Sequence, residues 1–162
     1  MATKDKKIGF IGQGWIGKNY ADNFEERGFE VVRYSLEDPY VNNKDKIRDC
    51  DIVFIAVPTP TKPEGFDSSI VRQSINYVGK GKIAVIKSTM LPGTTESIQE
   101  ENKEIFVLHS PEFLSEATAA YDAAHPVFNI IGLPQDTGEY KLKAQEVLSV
   151  LPHAAIEKIC LA

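Results

Sequence analysis

The chain has 162 residues, of which 43% are hydrophobic and 25% charged, a composition typical of a globular domain. Its formal net charge of -5 argues against broad nucleic-acid binding, which needs a basic face, and no apolar run approaches the roughly 20 residues that span a bilayer. We therefore expect one domain over residues 1–162, in the cytoplasm, with no membrane partner. The N-terminus has no apolar stretch of the kind that signal peptides carry, and the two cysteines and three histidines lack metal-ligand spacing, so no metal site is predicted.

The first predicted strand, 7–11, is separated from the first predicted helix by a glycine turn. On that helix, Ile16, Tyr20 and Phe24 share one face, and the helix is expected to end near Gly28. The residues of the turn are Gly12, Gln13, Gly14, Trp15, Ile16 and Gly17. Strand, glycine turn and helix in this order are typical of dinucleotide-binding proteins.

Each glycine of the turn has a physical role in such a site. Gly12 makes the tight turn, Gly14 lets a pyrophosphate approach the backbone, and Gly17 lets helix and strand pack closely. The helix N-terminus offers free N–H groups and a partial positive charge to the phosphates. The pattern therefore predicts a dinucleotide site over 12–17; the alternative is a glycine-tight turn that binds nothing.

Strands and helices alternate along the rest of the chain. The further predicted strands are 30–35, 51–57, 82–87, 105–108 and 128–131. One short helix is expected within 36–49, another after a cap at Asp67, and a third from Pro92 onward. Asp136 and Glu139 resemble a capping box in front of a last, amphipathic helix. The segment 109–126 is predicted to be irregular.

The alternation predicts an α/β fold of the Rossmann type, with a doubly wound parallel sheet and helices on both faces. The continuous apolar run 51–57 is typical of a strand that is covered on both sides. In such a sheet the strands' carboxyl ends share one edge, where ligands bind. The topology should therefore bring together four distant stretches, 12–17, 57–60, 88–89 and 109–116.

Four stretches of the sequence resemble those of a known family. They are Gly12-Gln13-Gly14-Trp15-Ile16-Gly17, Val57-Pro58-Thr59-Pro60-Thr61, Lys87-Ser88-Thr89-Met90-Leu91-Pro92-Gly93-Thr94-Thr95 and Ser110-Pro111-Glu112-Phe113-Leu114-Ser115-Glu116. The chain resembles, over nearly its whole length, the N-terminal coenzyme domain of the UDP-glucose/GDP-mannose 6-dehydrogenases. The last two stretches are far more specific than the glycine turn.

The resemblance implies a reaction and roles for individual residues. Enzymes of this family oxidise a primary alcohol of a sugar nucleotide to a carboxylate, in two hydride transfers to NAD. Glu112 matches the general base that hydrolyses a thioester intermediate, Thr89 a threonine that holds the catalytic water, and Glu116 a glutamate near the nicotinamide. The expected cofactor-binding residues beyond the turn are Ser35, Val57, Pro58, Thr59, Ser88, Thr89 and Glu116. Two simpler interpretations stay open: Glu112 as a solvated loop carboxylate, and Thr89 as a residue that satisfies backbone groups.

The sequence departs from the family pattern at several positions. Ser35 replaces the usual Asp that binds the adenine ribose, which weakens the expected preference for NAD. Arg33 lies nearby and leaves NADP open as the coenzyme. The other interpretation of Arg33 is an exposed strand residue. Ala117 replaces a glycine after Glu116, and Phe128 stands in place of an arginine. His109 is interpreted as a structural histidine, with a general base as the alternative.

The largest departure concerns the family's second half. Members of the family continue into a helix with Lys and Asn, and then into a domain with the nucleophilic Cys. Neither Cys50 nor Cys160 of this chain matches that context. We therefore expect this chain to bind a dinucleotide without completing the oxidation, and to bind a sugar nucleotide only when the missing domain is supplied. A stand-alone nucleotide-binding or regulatory module and a coenzyme domain of the 6-phosphogluconate or hydroxyacid dehydrogenase type remain alternatives. The oligomeric state stays open.

Overall fold

The computed structural model describes the backbone of residues 2–162 and the side chains from residue 4 onward. Its strands are β1 (Lys7–Ile11), β2 (Glu30–Tyr34), β3 (Ile52–Ile55), β4 (Thr61–Lys62), β5 (Gly65–Phe66), β6 (Ile83–Ile86), β7 (Phe106–His109), β8 (Phe128–Leu133) and β9 (Ile156–Leu161). Its α-helices are α1 (Trp15–Glu26), α2 (Ser69–Ile75), α3 (Thr94–Glu101), α4 (Ala119–Ala124) and α5 (Gly138–Val150). Short 3₁₀ helices cover Ala2–Asp5, Val41–Asp49 and Glu116–Thr118.

Seven strands form one sheet in the order β2-β1-β3-β6-β7-β8-β9, and β4 pairs with β5 in a separate hairpin. The five strands from β2 to β7 pair in parallel, and the register places Ile11, Ile55, Ile86 and His109 side by side at their carboxyl ends. The chain moves from β1 to β2 on one side and to β3 on the other, so the switch point lies between β1 and β3. The prediction of a doubly wound Rossmann-type sheet is confirmed.

Helices cover both faces of the sheet, each over its own apolar core. On one face, Phe10 of β1 stacks on Phe54 of β3 at 5.1 Å, and Phe24 of α1 packs edge-on against Phe10. This core continues to α4 and α5 through Ala123 and Val147. The core on the opposite face is closed by the 3₁₀ helix Val41–Asp49, α2 and α3, and contains Ile47, Ile75 and Ile98. This double coverage explains why the strands are apolar throughout.

The far side of the sheet differs from the prediction. β8 runs antiparallel to β7 and pairs with it at His109 and Gly132, and β9, which the sequence did not indicate, pairs in parallel with β8. β9 lies at the sheet edge with Ile156 and Leu161 exposed, so it lacks the continuous apolar run that revealed β3. The sheet is therefore mostly, not entirely, parallel.

Three local predictions were also wrong in detail. The segment 109–126 is not irregular throughout, because it contains a 3₁₀ turn and α4, which at six residues is too short to show a helical repeat. α5 is capped by Thr137, whose hydroxyl accepts from the Tyr140 N–H, and not by a box of Asp136 and Glu139. α2 begins one residue later than a cap at Asp67 implies, although the Asp67 carboxylate accepts from the Ser69 N–H at 2.9 Å.

The helices in the described part of the chain are all too short or too polar to cross a bilayer. Over the same residues, no three His, Cys, Asp or Glu side chains are grouped as a metal site would require.

Candidate coenzyme and active site

The loops that follow the four central parallel strands all leave the sheet at the same rim. The N–H of Ala56 donates to Ile11 O, that of Lys87 to Ile55 O, and that of Ser110 to Ile86 O, each at 2.8 Å. These bonds continue the ladder by one residue before each loop diverges. The stretches 12–17, 57–60, 88–89 and 109–116 are thus gathered at one edge, as the topology predicts.

The three glycines of the turn are required for two different reasons. Gly12 has φ +94°, and a Cβ there would lie 2.1 Å from Ala56 O; a Cβ on Gly17 would lie 2.1 Å from Gly12 O. These two positions are closed by the protein's own backbone. A Cβ on Gly14, by contrast, would have no described atom within 4 Å. Gly14 therefore faces open space, as a pyrophosphate position requires.

The first turn of α1 lies directly beside this open position. Gly14 is the N-cap residue and makes no side-chain cap, and the first N–H groups of a helix have no partner within the helix. α1 has 12 residues, so its dipole adds partial positive charge at this end. Trp15 is 41% exposed next to the turn, and Gln13 folds back to donate to Gly12 O at 2.8 Å. These features fit the diphosphate of a dinucleotide.

Ser88 fixes the loop that follows β3. Its buried hydroxyl accepts from Val57 N–H at 3.0 Å and donates to Val57 O at 2.7 Å. The Thr59 hydroxyl donates to Thr89 O at 2.9 Å, which joins the same two loops again. The side chain of Ser88 is therefore used to shape the rim, while Pro58 and the Thr89 side chain are exposed on it.

His109 supports the same rim from below. One of its ring nitrogens, Nε2, lies 3.2 Å from Ser88 O. Burial lowers the pKa of His109, the Ser88 carbonyl opposes this, and the nearby Lys87 charge adds to the lowering. The hydrogen bond between the ring and the Ser88 carbonyl favours the structural interpretation of this histidine.

The Glu112 carboxylate is held inside the protein, so its interpretation as a solvated loop residue is wrong. The side chain is 10% exposed. Its Oε1 accepts from the N–H groups of Phe113 and Leu114, both at 2.7 Å, and from the Tyr20 hydroxyl at 3.3 Å. Tyr20 belongs to α1, so the helix that begins at the glycine turn also contacts the predicted base.

Lys87 lies against the other oxygen of Glu112. Its side chain is 4% exposed, and Nζ lies 3.6 Å from Glu112 Oε2, 3.2 Å from Ser110 Oγ and 4.6 Å from the centre of the Tyr20 ring. Burial lowers the pKa of Lys87, and the Glu112 charge opposes that effect. Burial, followed by the same carboxylate, raises the pKa of Tyr20.

The sequence did not identify Lys87 and Tyr20 as site residues. The sequence places Tyr20 on the apolar face of α1 and Lys87 within a stretch that resembles the family. One signal was available for Lys87: a lysine at the end of an otherwise apolar, doubly covered strand needs a buried partner.

Glu116 and Phe128 border the same region. Glu116 is exposed and opens the 3₁₀ turn after Glu112, in a loop that Asp122 fastens by accepting from the Ser115 N–H at 3.0 Å. Phe128, which stands where the family has an arginine, packs against Phe113 with ring centres 5.5 Å apart. Both rings line a cavity of about 180 Å³ that reaches Glu112.

The expectation that Arg33 is an exposed strand residue is wrong. Its side chain is 8% exposed, and Nη2 lies 2.7 Å from carboxylate oxygens of both Asp22 and Glu25 on α1. Burial alone would lower the pKa of Arg33, but hydrogen bonds to Glu25 and Asp22 outweigh it and raise the pKa. Ser35 turns its hydroxyl to the Glu37 backbone, donating to Glu37 O at 3.1 Å.

Comparison with known proteins identifies the family of the chain. The UDP-glucose/GDP-mannose dehydrogenase family, NAD binding domain, matches residues 39–147. The UDP-glucose 6-dehydrogenase of Rattus norvegicus is 33% identical over 69% of this chain and 26% of its own length. That of Streptococcus pneumoniae is 26% identical over 94% of this chain and 47% of its own length. The chain thus spans less than half the length of these relatives.

Solved structures show the same fold. The UDP-D-ManNAc dehydrogenase structure from Pyrococcus horikoshii superposes with a TM-score of 0.80 at 18% identity, covering 96% of this chain and 47% of that one. The family match covers 109 of the 162 residues, from Pro39 to Val147, and includes the loops of Thr89 and Glu112. The chain belongs to the UDP-glucose/GDP-mannose dehydrogenase family and corresponds to its NAD-binding domain.

Proposed function

We propose that this chain binds NAD at the rim and is the coenzyme-binding half of a nucleotide-sugar 6-dehydrogenase. The observation that carries the proposal is that α1 joins the open Gly14 position to the buried Glu112 through Tyr20. Bound NAD supplies the hydride acceptor. Family membership argues against the 6-phosphogluconate or hydroxyacid dehydrogenase alternative.

We assign a separate role to each group of residues at the rim. The N–H groups at the start of α1 bind the diphosphate, with Gly14 leaving room for it. The loop of Pro58 and Thr59 borders the coenzyme cleft, in the position that Ser88 fixes. Glu112 would take a proton from the water that attacks the thioester carbon, with the thiolate of the second half's Cys as the leaving group. Thr89 would hold that water, and Glu116 would border the nicotinamide.

The environment of Glu112 supports a role as a base. The two backbone N–H groups on Oε1 stabilise a carboxylate and fix its orientation. A base must hold its lone pair in a defined direction before the reaction, because reorientation adds to the barrier. An exposed glutamate on a mobile loop would not meet that condition.

We further propose that NAD is preferred over NADP. A 2′-phosphate is recognised by an unpaired arginine near the end of the second strand. Here Arg33 is neutralised by Asp22 and Glu25, and both carboxylates line the cavity of about 350 Å³ beside it. A second phosphate would meet these two carboxylates at the position where an unpaired arginine would otherwise bind it; Lys18 and Lys46 also line the cavity, so the preference rests on the pairing of Arg33.

Titration calorimetry with NAD and NADP tests the coenzyme proposal. The wild-type chain should bind NAD, and NADP at least roughly tenfold more weakly, which is about 1.4 kcal/mol. The double variant Asp22→Asn/Glu25→Gln removes the charges that pair with Arg33, and it should reduce the ratio of the NADP to the NAD dissociation constant. Glu26→Gln, on an exposed residue of the same helix, is the matched control. If the chain binds neither NAD nor NADP, the coenzyme proposal is refuted.

In the family that this chain resembles, the oxidation also uses groups of the second half, beyond the part that residues 1–162 match. We propose that a sugar nucleotide is bound and oxidised only when the family's second half, with its Lys, Asn and nucleophilic Cys, is present. Mixing the chain with that half from a relative should restore NAD reduction that depends on a sugar nucleotide and is lost in Glu112→Gln. NAD binding without any such activity would favour the alternative of a stand-alone nucleotide-binding module.

A further inference from the structure

A buried ion pair lies behind the rim, between a strand end and a loop. Lys87 follows β6, and Glu112 lies in the loop after β7; their charged atoms, Nζ and Oε2, are 3.6 Å apart. Tyr20 of α1 covers the pair, with its ring facing the ammonium and its hydroxyl on the carboxylate. Three separate elements therefore converge on these two charges.

The two carboxylate oxygens of Glu112 have different surroundings. Oε1 accepts three hydrogen bonds, from Phe113 N–H, Leu114 N–H and the Tyr20 hydroxyl. Oε2 is buried and accepts none from the described residues, with Lys87 as its charged neighbour. The orientation of the carboxylate is thus set through Oε1, while Oε2 keeps free lone pairs next to a positive charge.

Packing alone does not explain a lysine at this position. An apolar side chain would fill the same volume without the cost of removing an ammonium from water, and replacing a buried pair by apolar groups is often neutral or stabilising. The other titratable groups around the pair are Tyr20, His109, Asp122 and His125, of which Tyr20 and His109 have pKa values that burial shifts toward the neutral form. Lys87 is the cation in contact with Glu112.

We propose that Lys87 is a positioning residue of the active site, which holds the Glu112 carboxylate ionised through the contact of its Nζ with Oε2. This inference rests on the proposed function, in which Glu112 is the base. Lys87 itself does not contact the reacting atoms. Its contribution is electrostatic, through Glu112, and the Tyr20 ring covers its ammonium.

Infrared spectroscopy of the chain labelled with ¹³C-glutamate tests the proposal at neutral pH. The difference between wild type and Glu112→Gln should contain a carboxylate band and no carboxylic acid band. The difference between Lys87→Met and Lys87→Met/Glu112→Gln should contain the acid band, because the unpaired carboxylate takes up a proton. Lys87→Arg should restore the carboxylate band, which a role in packing alone does not predict.

Lys80→Met is the matched control, because Lys80 and its partner Glu104 form an exposed ion pair. It should leave the Glu112 bands as in wild type. A carboxylate band that persists in Lys87→Met would overturn the proposal. If Lys87→Met does not fold, ¹⁵N NMR of the lysine side chains replaces it: Glu112→Gln should move the Lys87 titration to lower pH, and an unmoved titration contradicts the inference.

The two proposals fail in different measurements. Coenzyme binding is read from Trp15 fluorescence, since Trp15 is the one tryptophan of the chain and lies beside the turn. Loss of that signal with intact infrared bands would refute the coenzyme function alone. Normal coenzyme binding with unchanged bands in Lys87→Met would refute the role of Lys87 alone.

Discussion

The Tyr20 hydroxyl lies 3.3 Å from Glu112 Oε1, and this contact joins the first helix of the chain to the loop of the predicted base. α1 starts at the glycine turn, so one rigid element borders both the diphosphate position and the carboxylate. A displacement of α1 would therefore move the two parts of the site together. The following predictions test the separate contributions of this arrangement.

Gly14→Val should abolish coenzyme binding and leave the fold intact. A Cβ at this position has open space within 4 Å, so the substitution creates no internal clash, but a branched side chain would occupy the diphosphate position. NADH titration followed by Trp15 fluorescence measures the affinity. Gly138→Val is the control, because Gly138 is another open position at a helix start, on α5. Equal affinity in Gly14→Val and wild type would remove the turn from the site.

Gly12→Ala should instead destabilise the fold. Alanine is strained at φ +94°, and its Cβ would lie 2.1 Å from the Ala56 carbonyl oxygen, which is backbone and cannot move aside cheaply. We expect the free energy of unfolding to fall by about 2 to 5 kcal/mol. Urea denaturation measures this loss. Gly14→Ala is the comparison and should cost no more than about 1 kcal/mol, since it changes only a helix cap. Similar losses of unfolding free energy in Gly12→Ala and Gly14→Ala would contradict the distinction between a closed and an open glycine position.

The ion pair of Lys87 and Glu112 should appear as non-additive stability. Lys87→Met removes the cation that faces the buried Glu112, so that folding then requires proton uptake by this carboxylate, and the variant should lose about 3 to 5 kcal/mol. The double variant Lys87→Met/Glu112→Gln removes both charges and should lose less than the sum of the two single variants. Urea denaturation of the four proteins gives the coupling energy. Additive losses would show that the pair is not coupled.

His109 should make the fold sensitive to mild acid. Burial holds its pKa below the ordinary value of 6.5, so below pH 6.5 the unfolded chain binds a proton before the folded chain does. The stability from the neutral ring is complete above pH 6.5 and is lost as pH falls toward the lowered pKa. His109→Gln should lack this loss, whereas His153→Gln, on an exposed loop, should retain it. Denaturation at pH 5 and pH 7 measures the difference.

Much of the fold followed from the pattern of residues along the chain. Short apolar runs and a glycine turn identified β1, β3 and α1, because parallel strands that are covered on both faces must be apolar throughout. β9 and α4 escaped detection, since an exposed edge strand and a six-residue helix carry no comparable signal. The antiparallel entry of β8 likewise depends on where the chain turns in space.

For the site, the sequence by itself determined which loops meet at the rim and which of them resemble a coenzyme domain. Only the tertiary structure decided that Glu112 is buried, that Lys87 and Tyr20 surround it, and that Arg33 is bound by Asp22 and Glu25. These contacts join residues from different elements, and the burial of a side chain depends on what packs over it. A linear pattern records the residues near one another in the chain, whereas the ionisation of a carboxylate is set by the charges near it in space.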